Sequence, residues 1–80
     1  MRELQDIARE VDATGLRCPQ PILRAKKALM ALTSGQQLLV HATDSGSLQD
    51  FAAFARQTGN PLVQQWTDEA GVHHFVLQRR

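Results

Sequence analysis

The chain carries one cysteine. Cys18 lies in Leu16-Arg17-Cys18-Pro19-Gln20-Pro21, and the residues after this segment have the pattern of a helix. Proline tolerates the first turn of a helix, where its missing N–H would have had no partner. Pro19 and Pro21 therefore mark a helix start and stiffen the turn that holds the sulfur. The first N–H groups of a helix are unpaired and carry partial positive charge. Arg17 adds a full charge beside them. A thiolate at that place is expected to be stabilised, with its pKa below the free value of about 8.5. The chemistry is that of an accessible nucleophilic thiol. A lone cysteine also serves as a small buried hydrophobe. Arg17 and two prolines are poor neighbours for a core position, yet chemistry alone leaves both readings open.

Other residues that could do chemistry offer less. His73 and His74 are adjacent on a strand-like segment, so they face opposite sides. With His41 and a single thiol they do not form a structural zinc set, and neither metal nor cofactor is expected. No phosphate-cradling glycine loop is present. Four cations, Arg17, Arg24, Lys26 and Lys27, stand with no acid between Arg17 and Met30. They are either a solvated helix face or a docking patch for an acidic partner. Trp66 reads as packing rather than recognition.

Around these residues the chain has 80 residues, a net charge of +1 and 42% apolar residues, which sets one small globular domain (1–80, with 1–7 as a polar, frayed lead). Nearly balanced charge argues against a general nucleic-acid or membrane-surface binder, which needs many unopposed cations. A domain of this size buries only about 60% of its unfolded surface. With one cysteine no intrachain disulfide can staple it. No apolar run reaches the roughly 20 residues of a membrane span. The charged, broken start from Met1 to Glu10 does not read as a signal peptide. The expectation is a soluble cytoplasmic protein whose thiol the compartment keeps reduced.

The elements that position Cys18 are set by periodicity. Ala8–Ala13 reads as a short strand, and Thr14-Gly15 breaks it. Ile22, Ala25, Ala28, Leu29 and Leu32 form a helical stripe, stopped by Ser34-Gly35. Gln37–Thr43 is the strongest strand, and its near-continuous apolar run suits a central place. Asp44 or Ser47 reads as the N-cap of a second helix, with Ser47 and Asp50 as a capping box. Leu48, Phe51, Ala52 and Ala55 form its stripe, Phe54 lies at the margin, and Gly59-Asn60-Pro61 ends it. Leu62–Thr67 and Val72–Gln78 pair as a hairpin around a four-residue loop. The prediction is an α+β fold: a two-layer βαβαββ sandwich with both helices on one face of a mixed four-stranded sheet.

The segment from Val11 to Pro21 (Val-Asp-Ala-Thr-Gly-Leu-Arg-Cys-Pro-Gln-Pro) resembles the signature of the TusA/SirA family of sulfur-carrier proteins. In that pattern an Asp and a Gly-Leu precede Cys-Pro-x-Pro at the start of the first helix. The likeness continues through Gly35–Thr43, through Thr43-Asp44-Ser45-Gly46-Ser47-Leu48-Gln49-Asp50-Phe51, and from Phe54 to Leu62. It spans Val11 to Leu77. Three positions depart from the family pattern. Ser45 stands where many members have Pro, Ala55 where some have a second Cys, and Asn60 where some have His. None touches the thiol, and Ala55 excludes an internal Cys–Cys redox cycle.

The resemblance implies a mobile sulfur carrier, a sulfurtransferase without a substrate pocket of its own. Cys18 would accept sulfane sulfur as a persulfide, or as a thiosulfonate adduct. The donor would be a cysteine desulfurase or a rhodanese-like protein, and an acceptor protein would take the sulfur onward. Arg17, Pro19 and Pro21 would support the thiolate, and Arg24, Lys26 and Lys27 would dock a partner. A monomer that binds neither membrane nor nucleic acid is expected. The rival reading is a non-catalytic regulatory module that binds an acidic partner through the basic face of helix one. A selenium-carrying or redox-linked variant of the same thiol chemistry is a third.

Overall fold

The computed structural model describes residues 7–80. The elements run β1 (Ile7–Ala13), α1 (Gln20–Met30), β2 (Gln37–Ala42), α2 (Ser47–Thr58), β3 (Leu62–Thr67) and β4 (His73–Gln78). The expected βαβαββ order is found. The frayed lead assigned to Met1–Ile7 falls, up to residue 6, outside the described residues.

The sheet order is β1-β2-β4-β3. β1 runs parallel to β2, with Asp12 opposite His41 and Ala13 opposite Ala42. β4 is antiparallel to both β2 and β3. The apolar run Leu38-Leu39-Val40 thus has a neighbour on each side, as a central strand requires. Both helices pack on the face where Ala13, Leu38, Val40, Ala42, Phe75 and Leu77 meet Ala25, Ala28, Leu29, Phe51 and Phe54 in one core. Phe51 stacks on Phe75 with ring centroids 4.3 Å apart. Phe54, expected at the margin of its helix, is buried in that core.

Two helix ends differ from the sequence reading. α1 stops at Met30 with Ala31 as its C-cap, short of Ser34-Gly35. Ala31 and Leu32 turn their N–H groups to carbonyls three residues back, and the Gln36 side chain takes the Thr33 N–H at 2.8 Å. A tightened last turn satisfies the helix end early. At α2 the N-cap is Gly46, with no side-chain cap, so the Ser47–Asp50 capping box does not form. Ser47 is the first helical residue and is buried, and the turn closes through its N–H to the Asp44 main-chain carbonyl at 3.0 Å. Asp50 is released for another contact.

The second face of the sheet carries His41, His74 and Trp66, all half-buried, and Val76 and Leu39 on the same face are buried. The alternation along β4 is therefore weaker in exposure than in residue type.

Candidate functional site

Because β1 and β2 are parallel, the chain leaves both at the same edge of the sheet. α1 and α2 therefore begin side by side. The loop that bears Cys18 is held there by short-range bonds. Asp12 accepts hydrogen bonds from the Thr14 N–H at 3.0 Å and the Thr14 hydroxyl at 2.7 Å. Gly15 turns with φ of 81°, a region that favours glycine. Its N–H donates to Thr43 Oγ1 at 2.8 Å, tying the loop to the end of β2. The Leu16 N–H donates to the Ala13 carbonyl at 3.2 Å. Cys18, joined to Pro19 by a cis peptide, is exposed at the loop's tip.

Cys18 lines a shallow groove of about 250 Å³ between the helices. Pro19, the N-cap of α1, and Ile22 line it from one side, and Asp50, Ala53, Phe54 and Gln57 of α2 from the other. Most of its wall is apolar, and the Asp50 carboxylate faces the thiol.

The electrostatic expectation at Cys18 is reversed. Asp50 accepts a hydrogen bond from the thiol, and this holds the thiol pKa above its ordinary value. Partial removal from water and the negative charges of Asp50 and Asp44 push the same way. A hydrogen bond donated by the neutral thiol to a carboxylate favours the neutral form, and a nearby anion does so again. The helix mouth also offers few donors. Pro19 and Pro21 have no N–H. The Gln20 N–H donates to the Arg17 carbonyl at 2.8 Å, and that of Leu23 to the Pro19 carbonyl at 3.1 Å. The prolines that mark the helix start remove the groups whose charge the expectation relied on.

Asp50 is the site residue that sequence reasoning missed. It looked like a cap for its own helix. The signal that could have found it is topological: parallel β1 and β2 place the first turns of their two helices together.

The predicted docking cations do not form one patch. All three are exposed. Arg24 and Lys27 flank a cleft on the β1 side of α1, together with Arg9 and Val11. Lys26 lies on the other flank, in a groove of about 520 Å³ with Arg56, Arg79 and Arg80. Among the described residues no three His, Cys, Asp or Glu side chains are grouped to hold a metal ion. None of the described helices is long and apolar enough to cross a membrane. His73 and His74 do face opposite ways: His73 Nδ1 meets Thr67 Oγ1 at 2.8 Å, and His74 faces His41. Trp66 stacks on the His74 ring at 4.9 Å.

Comparison with known proteins adds three findings. The sequence model of the family described as sulfurtransferase TusA matches residues 9–79. The sulfur carrier protein TusA of Allochromatium vinosum is 54% identical over 76 residues, covering 95% of this chain and 99% of that protein. The crystal structure of a SirA-like protein from Desulfitobacterium hafniense superposes with a TM-score of 0.79 at 30% identity, over 88% of this chain and 95% of that one.

Proposed function

Since the chain belongs to the TusA family of sulfur carriers, we propose that it acts as a mobile sulfurtransferase, taking sulfane sulfur onto Cys18 as a persulfide and passing it to an acceptor protein. The observation that carries this reading is the placement of its one thiol, exposed on a braced loop and beside an open, mostly apolar groove. A sulfur passed between two proteins must be reachable by both, and that position meets the need.

The first half-reaction is attack of the Cys18 sulfur on a donor's sulfane sulfur, with the donor's own sulfur leaving. A cysteine desulfurase or a rhodanese-like protein fits as donor, since each carries sulfur as a persulfide. The product on Cys18 is an anion near neutral pH, and Arg17 is placed in the chain to support it. Pro19 and Pro21 fix the loop's exit into α1. Arg24, Lys26 and Lys27 offer charge to an acidic partner, on two flanks of α1 instead of one. The reduced cytoplasm is the compartment that suits a free thiol.

The test is intact mass. Reduced protein incubated with a cysteine desulfurase and cysteine, or with thiosulfate, is expected to gain sulfur on Cys18. Cys18→Ser is expected to gain none while keeping its fold. If Cys18→Ser were silent in a sulfur-transfer assay, the non-catalytic module would replace this reading.

A further inference from the structure

We propose that Asp50 is a catalytic residue of the transfer: its carboxylate takes the Cys18 thiol proton as the sulfur attacks, and returns it to the sulfur that leaves. The inference rests on the sulfur-carrier reading and adds a named proton carrier to it.

Three observations converge on Asp50. It lines the same groove as Cys18 and is the carboxylate that most strongly favours the protonated thiol. It is half-buried, and the ion pairs found among the described residues leave it without a cation, because they join His41 to Glu10 and His74 to Asp68. It is also not a cap for its own helix, whose N-cap Gly46 has no side-chain partner. A carboxylate in the first turn gains from the helix dipole wherever it points. That gain does not require it to face a thiol.

The arrangement also answers a problem of the chemistry. A free thiolate reacts with any oxidant or electrophile it meets. A thiol held neutral by Asp50, with Asp44 also near, is quiet until a donor sulfur sits against it. A Cβ added at Gly46 would lie 3.0 Å from Asp44 Oδ2 and 3.9 Å from Asp50 Oδ2, which places both carboxylates at the mouth of α2. An arriving partner covers the groove and takes the carboxylate from water, which makes a carboxylate hold a proton more readily.

The step balances without an added oxidant or reductant. Cys18–S–H and a donor persulfide anion R–S–S⁻ give the Cys18 persulfide anion Cys18–S–S⁻ and R–S–H. The bond between the Cys18 sulfur and the sulfane sulfur forms. The donor's S–S bond breaks, and its electron pair leaves on the R sulfur. The proton from Cys18 passes to Asp50 and then to that sulfur, so Asp50 ends as it began.

Glutathione persulfide is the probe donor, read by intact mass after rapid quenching. Iodoacetamide reports the ionised thiol over a range of pH, and circular dichroism reports the fold. Asp50→Asn is expected to slow sulfur uptake by about a hundredfold, the lower end of what a positioned acid–base group contributes. The same variant is expected to alkylate faster than the wild type at neutral pH, because its thiol ionises more readily. Asp50→Glu is expected to restore uptake. Opposite changes in the two reactions cannot come from simple damage to the site. Uptake by Asp50→Asn at the wild-type rate would overturn the assignment and leave the carrier reading standing. A parallel loss of both reactions in a folded Asp50→Asn would overturn it too. Failure of the wild type to take sulfur from glutathione persulfide and from a desulfurase would remove the carrier reading and this assignment together.

Discussion

His41 Nδ1 lies 2.7 Å from His74 Nδ1, across the paired strands β2 and β4. The outer nitrogen of each ring meets a carboxylate: His41 Nε2 faces Glu10, and His74 Nε2 lies 2.9 Å from Asp68 Oδ2. A carboxylate accepts, so the outer ring nitrogens stand where donors are needed, and the inner pair closes the link between the two rings. The chain Glu10–His41–His74–Asp68 ties β1, β2, β4 and the hairpin loop on the face away from the helices.

Asp68 makes this chain sensitive to acid. Hydrogen bonds from His74 first, then from the Val72 and Ala70 N–H groups, hold its carboxyl below the usual carboxylate range. A carboxyl whose pKa is lowered on folding contributes stability above its unfolded value of about 3.9, and that contribution is lost as pH falls through the lower folded value. Asp68→Asn is therefore expected to be less stable than the wild type at neutral pH and to lose less stability on acidification below about pH 4. Urea unfolding at stepped pH measures both. An unchanged acid limb in Asp68→Asn would refute the assignment.

Phe51 is fully buried and stacked on Phe75. Phe51→Ala is expected to cost about 3–5 kcal/mol. Folded domains hold about 5–15 kcal/mol in total, so this chain would be left near its unfolding threshold. A chemical denaturation midpoint close to that of the wild type would show that the core does not depend on the pair.

Cys18 is exposed and outside the core. Cys18→Ser is expected to change stability by no more than about 0.5 kcal/mol, as at other surface positions, and to abolish sulfur uptake. The serine hydroxyl can still donate to Asp50. Calorimetry together with intact mass checks both halves.

The two acids act on the thiol unequally. The hydrogen bond to Asp50 is the largest influence on Cys18, and the charge of Asp44 is the smallest of those that raise it. The pH midpoint of alkylation by iodoacetamide is expected above the free-thiol value of about 8.5. It should fall in Asp50→Asn by more than in Asp44→Asn. The reverse order, or a wild-type midpoint below the free value, would restore the helix-terminus account.

The proposed docking by charge would separate protein donors from small ones. Arg24→Glu with Lys27→Glu is expected to slow sulfur uptake from a desulfurase by about tenfold at low salt, the lower bound of electrostatic steering. Uptake from glutathione persulfide should not change. Lys26→Glu with Arg56→Glu tests the other flank of α1 by the same comparison. Equal rates with the desulfurase in both pairs would remove the docking role.

The sequence made most of this fold legible because its punctuation agrees with its periodicity. Pro19 and Pro21 open α1, Gly59 closes α2 with φ of 78°, and Leu38 to Val40 read as central. What escaped depended on where elements meet. Phe54 looked marginal on its own helix, yet it faces the seam between the helices and is buried there. Asp50 satisfied a local capping pattern so well that its tertiary partner went unseen. The sign of the shift at Cys18 was misjudged for the same reason: a helix start was treated as a generic positive end. Its prolines remove donors, and a second helix brings carboxylates. The histidine chain spans three strands, and no spacing along the sequence announces it.

Both helices open at one rim of the sheet, while the groove of Lys26, Arg56, Arg79 and Arg80 gathers residues from the far ends of the helices and the end of the chain. On the proposed reading, the shallow cleft at Cys18 would admit one visitor at a time, so a donor would have to leave completely before an acceptor arrives. The direction of traffic would then be decided by which partner is met in which loading state, and the throughput by how often the small protein is set free.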